Sequence, residues 1–104
     1  MKQHLTTGEK YAIVNILSKI MKADGIIHPK EEEFMDKAYH ELDIRIHDLA
    51  DVANIDDIQA KLIIDRMTDE SREYARTLFI GMAESDGFIH PRESDIINHI
   101  FGSE

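Results

Sequence analysis

An all-α fold of about six helices is what the sequence predicts, and three observations predict it. Apolar residues recur at three- and four-residue spacing over most of the chain. No alternating apolar–polar run of useful length appears, so no strand is expected. Finally, Lys22-Ala-Asp-Gly-Ile-Ile-His-Pro-Lys-Glu31 returns as Glu84-Ser-Asp-Gly-Phe-Ile-His-Pro-Arg-Glu93, at an offset of 62 residues. Both copies carry Asp-Gly-x-Ile-His-Pro-x-Glu, in which the Gly stops one helix and the Pro starts the next.

The elements follow in order. Thr6-Thr-Gly-Glu9 has capping-box spacing, and Ile13, Ile16, Leu17 and Ile20 then share a face that Val14 and Met21 widen. A helix from about Gly8 to Ala23 is expected, ended at Gly25, where positive φ costs little. His28 as N-cap and Pro29 as first residue open a second helix to about Leu42. Its inner face is Phe34, Met35, Ala38 and Leu42, and Glu31, Glu32 and Glu33 complement its dipole. The middle, Ile44 to Met67, has no Gly or Pro but changes phase: Leu49, Val52 and Ala53 suggest a short helix. Asp56-Asp57 opens another, with Ile58, Leu62, Ile63 and Met67 at helical spacing. Thr68 caps a fifth, whose Tyr74, Ala75, Leu78, Phe79, Met82 and Ala83 form a broad apolar face up to Gly87. Pro91 begins the last, with Ile96, Ile97, Ile100 and Phe101 inward.

The duplication reaches beyond the loops. At the same offset Ile16 matches Leu78, Leu17 matches Phe79 and Ile20 matches Met82. Past the loop, Phe34 matches Ile96, Met35 matches Ile97, Ala38 matches Ile100 and Tyr39 matches Phe101. Two helix–loop–helix units therefore share one apolar pattern, and either alone would expose it. They are expected to pack face to face about a pseudo-two-fold axis, within one domain spanning residues 1–104.

Composition narrows the function. The formal charge is −9, from 21 acidic and 12 scattered basic residues. Phosphate contacts need Lys and Arg, so nucleic acid and an anionic membrane surface are disfavoured, and cations or a basic protein partner are favoured. With no cysteine there is neither disulfide nor thiolate metal site. The N-terminal residues lack the apolar stretch of a signal peptide, and no apolar run approaches the roughly 20 residues that span a bilayer. A cytoplasmic protein without membrane insertion is expected.

The loops invite comparison with a calcium-binding EF-hand. With Gly25 at loop position 6, Glu31 falls at position 12, as required. Positions 1 and 3, however, fall on Ile20 and Lys22, and on Met82 and Glu84 in the second copy. An apolar residue at position 1 in both copies removes a primary oxygen ligand, so an EF-hand site is not expected.

Ala23-Asp-Gly-Ile-Ile-His-Pro-Lys-Glu31 resembles the motif of the TerB-like tellurite-resistance family, and Ser85-Asp-Gly-Phe-Ile-His-Pro-Arg-Glu93 matches it with Ser for Ala. That resemblance implies an all-helical fold and a non-catalytic role in stress or membrane-associated complexes. It also implies Asp24, Glu31, Asp86 and Glu93 as candidate ligands for a divalent metal. His28 and His90, where Ser or Thr is the usual cap, are possible additional ligands. Manganese, zinc or iron would suit a mixed carboxylate–imidazole set better than calcium. A purely structural reading stands beside this one. Asp24 and Asp86 would accept turn amides, Glu31 and Glu93 would close capping boxes, and the histidines would cap helices. If the two loops meet, their carboxylates form a cluster that is costly unless a cation or a basic partner offsets it, and the metal reading is conditional on that meeting.

No other constellation supports chemistry. Asp36–His40 and Asp95–His99 are i,i+4 pairs but not repeat mates. No Glu-x-x-His, His-Glu-x-x-His, phosphate-binding Gly-rich loop or Gly-x-Ser-x-Gly occurs, so there are no catalytic residues to name and no base or nucleophile for a metal-dependent hydrolase. The five methionines sit at core phase and read as packing. A binding or adaptor module with a protein partner is the expectation.

Overall fold

The computed structural model describes residues 5–23, 25–85, 87 and 89–101. Among them the regular structure is entirely helical. It comprises α1 (Thr7–Lys22), α2 (Pro29–Glu41), a 3-10 turn (Ile46–Asp48), α3 (Leu49–Ala53), α4 (Asp57–Asp65), α5 (Asp69–Glu84) and α6 (Pro91–Phe101). All six helices contribute to one buried apolar cluster.

α1 is the axis of that cluster. The capping box forms as its spacing dictates: the Thr6 N–H donates to Glu9 Oε1 at 2.9 Å and the Glu9 N–H to Thr6 Oγ1 at 3.1 Å. From Ala12 to Leu17 every residue is buried, so the helix is covered nearly all round. Its neighbours are α2, α3, α4, α5 and α6. Asn15 is the one polar residue of that run, and its Nδ2 donates to the Val52 and Ile55 carbonyls at 2.9 Å each. This ties the end of α3 to α1 and adds a second donor to the Val52 carbonyl, which also accepts from the Ile55 N–H at 3.2 Å. Nearby the Tyr11 hydroxyl donates to Asp48 Oδ1 at 2.7 Å, fixing the 3-10 turn. That carboxylate, with lesser help from burial, pushes the Tyr11 hydroxyl up to about 12.

The two helix–loop–helix units pack reciprocally. α1 lies against α5, α2 reaches across to α5, and α6 reaches across to α1. Leu17 and its repeat mate Phe79 are both fully buried. Phe79 meets Phe101 at a centroid distance of 5.7 Å, and the Arg72 guanidinium covers Phe101 from 5.6 Å.

α4 departs from its expected face. Ala60 and Ile64 point inward, whereas Ile58 is 73 % and Leu62 48 % exposed. The Asp56 cap, which accepts from the Gln59 N–H at 2.8 Å, fixes where the helix starts. Contact with α1 and α6 then selects the small Ala60 for the close approach and leaves the larger apolar pair outside. Met67 is buried but lies beyond the helix end at Asp65. Packing, not periodicity, chose this face.

Candidate functional site: a buried carboxyl pair where the two loops meet

Each of the two loops that share Asp-Gly-x-Ile-His-Pro-x-Glu delivers a glutamate to the third position of the following helix, and the structure brings the two together. α2 and α6 both begin with Pro, where the missing N–H costs nothing. The Glu31 and Glu32 amides return to the His28 carbonyl, and the Glu93 and Ser94 amides return to that of His90. The preceding turns rely on Gly25 and Gly87, at φ 80° and 86°, a region L-residues with a Cβ rarely enter.

The glutamates then fold back as capping residues. Glu31 Oε1 accepts from the His28 N–H at 3.4 Å, and Glu93 Oε1 accepts from the His90 N–H at 3.0 Å. Neither side chain reaches solvent: Glu31 is 0 % and Glu93 1 % exposed, which is rare for carboxyls. Glu31 Oε2 is sealed from water without a hydrogen-bond partner of ordinary geometry. Burial first, and then the approach of the Glu93 carboxyl, push the Glu31 carboxyl up to about 7 against the pull of the His28 N–H. Two helix N-termini offset part of the cost of burying negative charge here. They do not supply a partner for the second oxygen.

Of the residues singled out from sequence, Glu31 and Glu93 are thus adjacent, and His28 and His90 flank them as N-terminal caps. His90 Nδ1 accepts from the Arg92 N–H at 3.2 Å, so a neutral His90 carries its proton on Nε2. Asp24 and Asp86 lie outside the described residues. Among the described residues no three His, Asp or Glu side chains gather as a metal would require. What the residues do present is an oxygen pair with one buried acceptor unused, chemistry that suits a hard cation or a shared proton.

Other functional possibilities take their place around this pair. The sequence did not single out the Asn15 bridge or the Tyr11–Asp48 bond, and a lone Asn inside an apolar helical run was the available signal. Among the described residues no helix is long and apolar enough to cross a membrane.

A family model described as "Tellurite resistance protein TerB" matches residues 1–54, which span the first helix–loop–helix unit, the 3-10 turn and α3. No curated protein and no solved structure matches the chain. With the all-helical architecture, the repeated Asp-Gly loops and a match over more than half its length, the chain belongs to the TerB tellurite-resistance family.

Proposed function

We propose that this protein is a non-catalytic cytoplasmic binding module of stress or tellurite-resistance type, one domain over residues 1–104, that uses a divalent cation to join its two units. The observation that carries this reading is the side-by-side burial of the Glu31 and Glu93 carboxyls, with Glu31 Oε2 sealed from water. An unpaired buried carboxylate costs several kcal/mol, on the order of what a bound cation restores. Glu31 and Glu93 would hold the ion. Asp24 and Asp86, each seven residues ahead of its glutamate in sequence, would complete the oxygen set, with His28 and His90 as further donors. Manganese, zinc, iron and calcium are the ions to distinguish. The ion supplies positive charge at a junction rich in carboxyls. The chain's own residues supply the fixed frame, because Pro29, Pro91 and the capping contacts set where each glutamate points. The pseudo-two-fold relation between the units follows from the same reading, since repeat mates would contribute equally to one site. A protein partner would then sense the joined state.

Calorimetry and thermal melting of the full chain with Mn²⁺, Zn²⁺ and Ca²⁺ test this. At about a hundred times Kd one of these ions raises the melting temperature by about 10 °C. Neither Glu31→Gln/Glu93→Gln nor Asp24→Asn/Asp86→Asn responds. Unchanged melting of the wild-type chain at saturating concentrations of all three overturns the proposal.

A further inference from the structure

One flank of α1 changes character along its length. Val14 and Asn15 are buried, Ser18 and Lys19 are half-buried, and Lys22 at the helix end is exposed. They share that flank because residues three, four and seven apart are neighbours on a helix. Facing them are Leu49, Val52 and Ala53 of α3 and Tyr39 of α2, and the three helices enclose a groove of about 500 Å³. That volume falls within the roughly 300–1,000 Å³ of small-molecule sites. Val14 and Val52 close its bottom, while Ser18, Tyr39 and Leu49 are half-buried and Ala53 is exposed, so a guest can reach them.

Charge distinguishes this groove. The chain carries 21 acidic residues against 12 basic ones, yet two lysines and no carboxylate line it. Three other grooves of the described residues each include a carboxylate. Lys19 is ion-paired with Asp57, whereas Lys22 makes no ion pair among the described residues. Helical side chains lean toward the N-terminus, which carries the Lys22 stem back toward Ser18 and away from the carbonyls that end α1. Charges beyond about 8 Å are largely screened at physiological ionic strength, so this lysine outweighs the distant acids at the mouth of the groove. The walls, by contrast, are mainly aliphatic, and the Asn15 amide donors are spent on the Val52 and Ile55 carbonyls. A peptide would bring backbone donors and acceptors to such walls, and an alkyl chain brings none.

We propose that this groove binds a small amphiphilic carboxylate, the anion of a medium-chain fatty acid. The carboxylate meets the Lys22 ammonium, with the Ser18 hydroxyl as a further donor. The alkyl chain lies along Leu49, Ala53 and the Tyr39 ring. The site makes no use of the Glu31–Glu93 pair and stands whether or not that pair holds a metal.

The test titrates the full chain, labelled with ¹⁵N, at neutral pH with butanoate, hexanoate, octanoate, octylammonium and N-acetyl-glycyl-leucine. Octanoate should give saturable amide shifts clustered at residues 18, 22, 49 and 53, with a dissociation constant on the order of 1 mM. Affinity should rise about twofold per methylene from butanoate to octanoate, half the free energy of complete burial because the groove is open on one side. Octylammonium, with the same tail and the opposite charge, should bind about tenfold more weakly. Lys22→Glu installs on an exposed site the residue that ends α5 at the repeat offset, so the fold is retained. It should weaken octanoate about tenfold and remove the bias against octylammonium. Five results overturn the proposal. They are no saturable shift by octanoate, shifts centred elsewhere, affinity independent of chain length, or a charge reversal on either side that leaves binding unchanged. The fifth is tighter binding of N-acetyl-glycyl-leucine than of octanoate, which would make a peptide C-terminus the occupant.

Discussion

The two helix–loop–helix units share their loops and differ in what surrounds them. In both, a glycine at positive φ, a His–Pro helix start and a buried capping glutamate recur residue for residue. The first helices do not match so well. α1 is buried from Ala12 to Leu17, because α3 and α4 cover the side that α5 leaves free. α5 buries a single stripe, Ser71, Ala75, Leu78, Phe79, Met82 and Ala83, and leaves its other side open. Repetition therefore fixed the points where helices start, stop and meet. The flanks differ, and one of them closes on the Phe34 ring at Gly81.

The largest effect lies where the units agree. Leu17 and Phe79 are repeat mates, both fully buried on the facing helices α1 and α5. Truncating either leaves a cavity the other side cannot fill, so Phe79→Ala should cost about 4 kcal/mol and Leu17→Ala about 3 kcal/mol in urea melts. A loss under about 1 kcal/mol at either position would break the equivalence of the two helices.

Next in size is the carboxyl pair at which the units meet. Glu31 has a folded pKa of about 7, raised from 4.5 by burial and by Glu93. Between those values the folded state keeps a proton that the unfolded chain has released. The contribution is therefore full below pH 4.5 and lost as pH rises through 7. In chelator, stability should fall by about 3 kcal/mol between pH 4.5 and 8, and Glu31→Gln should remove that component of the slope. A wild-type profile rising over this range would show that the pair is not held as described.

Much of this was legible in the sequence. Six helices, their caps and the loop boundaries follow from Thr6, Thr68, Pro29, Pro91, Gly25 and Gly87, because caps and breakers act locally. What was not legible depends on tertiary contact. Ile58 and Leu62 have the spacing of a core face, yet they point outward because α4 approaches its neighbours through Ala60. Glu31 and Glu93 were readable as capping residues. Their complete burial was not, since it arises only when the N-termini of α2 and α6 converge.

The diverged flanks give a smaller contrast. A Cβ at residue 81 would strike the Phe34 ring, so Gly81→Ala should destabilise by about 1–2 kcal/mol even after the gain in helix propensity. Its mate Lys19 makes only a partly exposed ion pair with Asp57, and Lys19→Ala should cost under about 0.5 kcal/mol. Adding Phe34→Ile, which installs the residue found at the other junction, should recover part of the Gly81→Ala loss in a double-mutant cycle. Simple additivity would show that the ring does not close the junction.

The smallest expected effect concerns how helices end. α1 and α5 are each followed by a glycine at positive φ, but α2 runs into a middle section that has none. Asp43 takes the left-handed conformation instead, at φ 57°, while the Ile44 N–H returns to the Tyr39 carbonyl at 2.8 Å. That bond belongs to the same motif that glycine ordinarily closes, and a Cβ in this region costs about 1 kcal/mol. The Asp43 carboxylate lies 3.7 Å from Arg45 Nε with both groups largely exposed, so the pair offsets little of that cost. Asp43→Gly should therefore stabilise the chain by about 0.5 kcal/mol, the relief of strain outweighing the added freedom of the unfolded state. Gly25→Ala, where nothing lies within 4 Å of the added Cβ, should lose about 1 kcal/mol from φ alone. Opposite signs at these two helix ends, read from thermal melts, would show that backbone conformation rather than crowding sets the preference for glycine in the repeated loops.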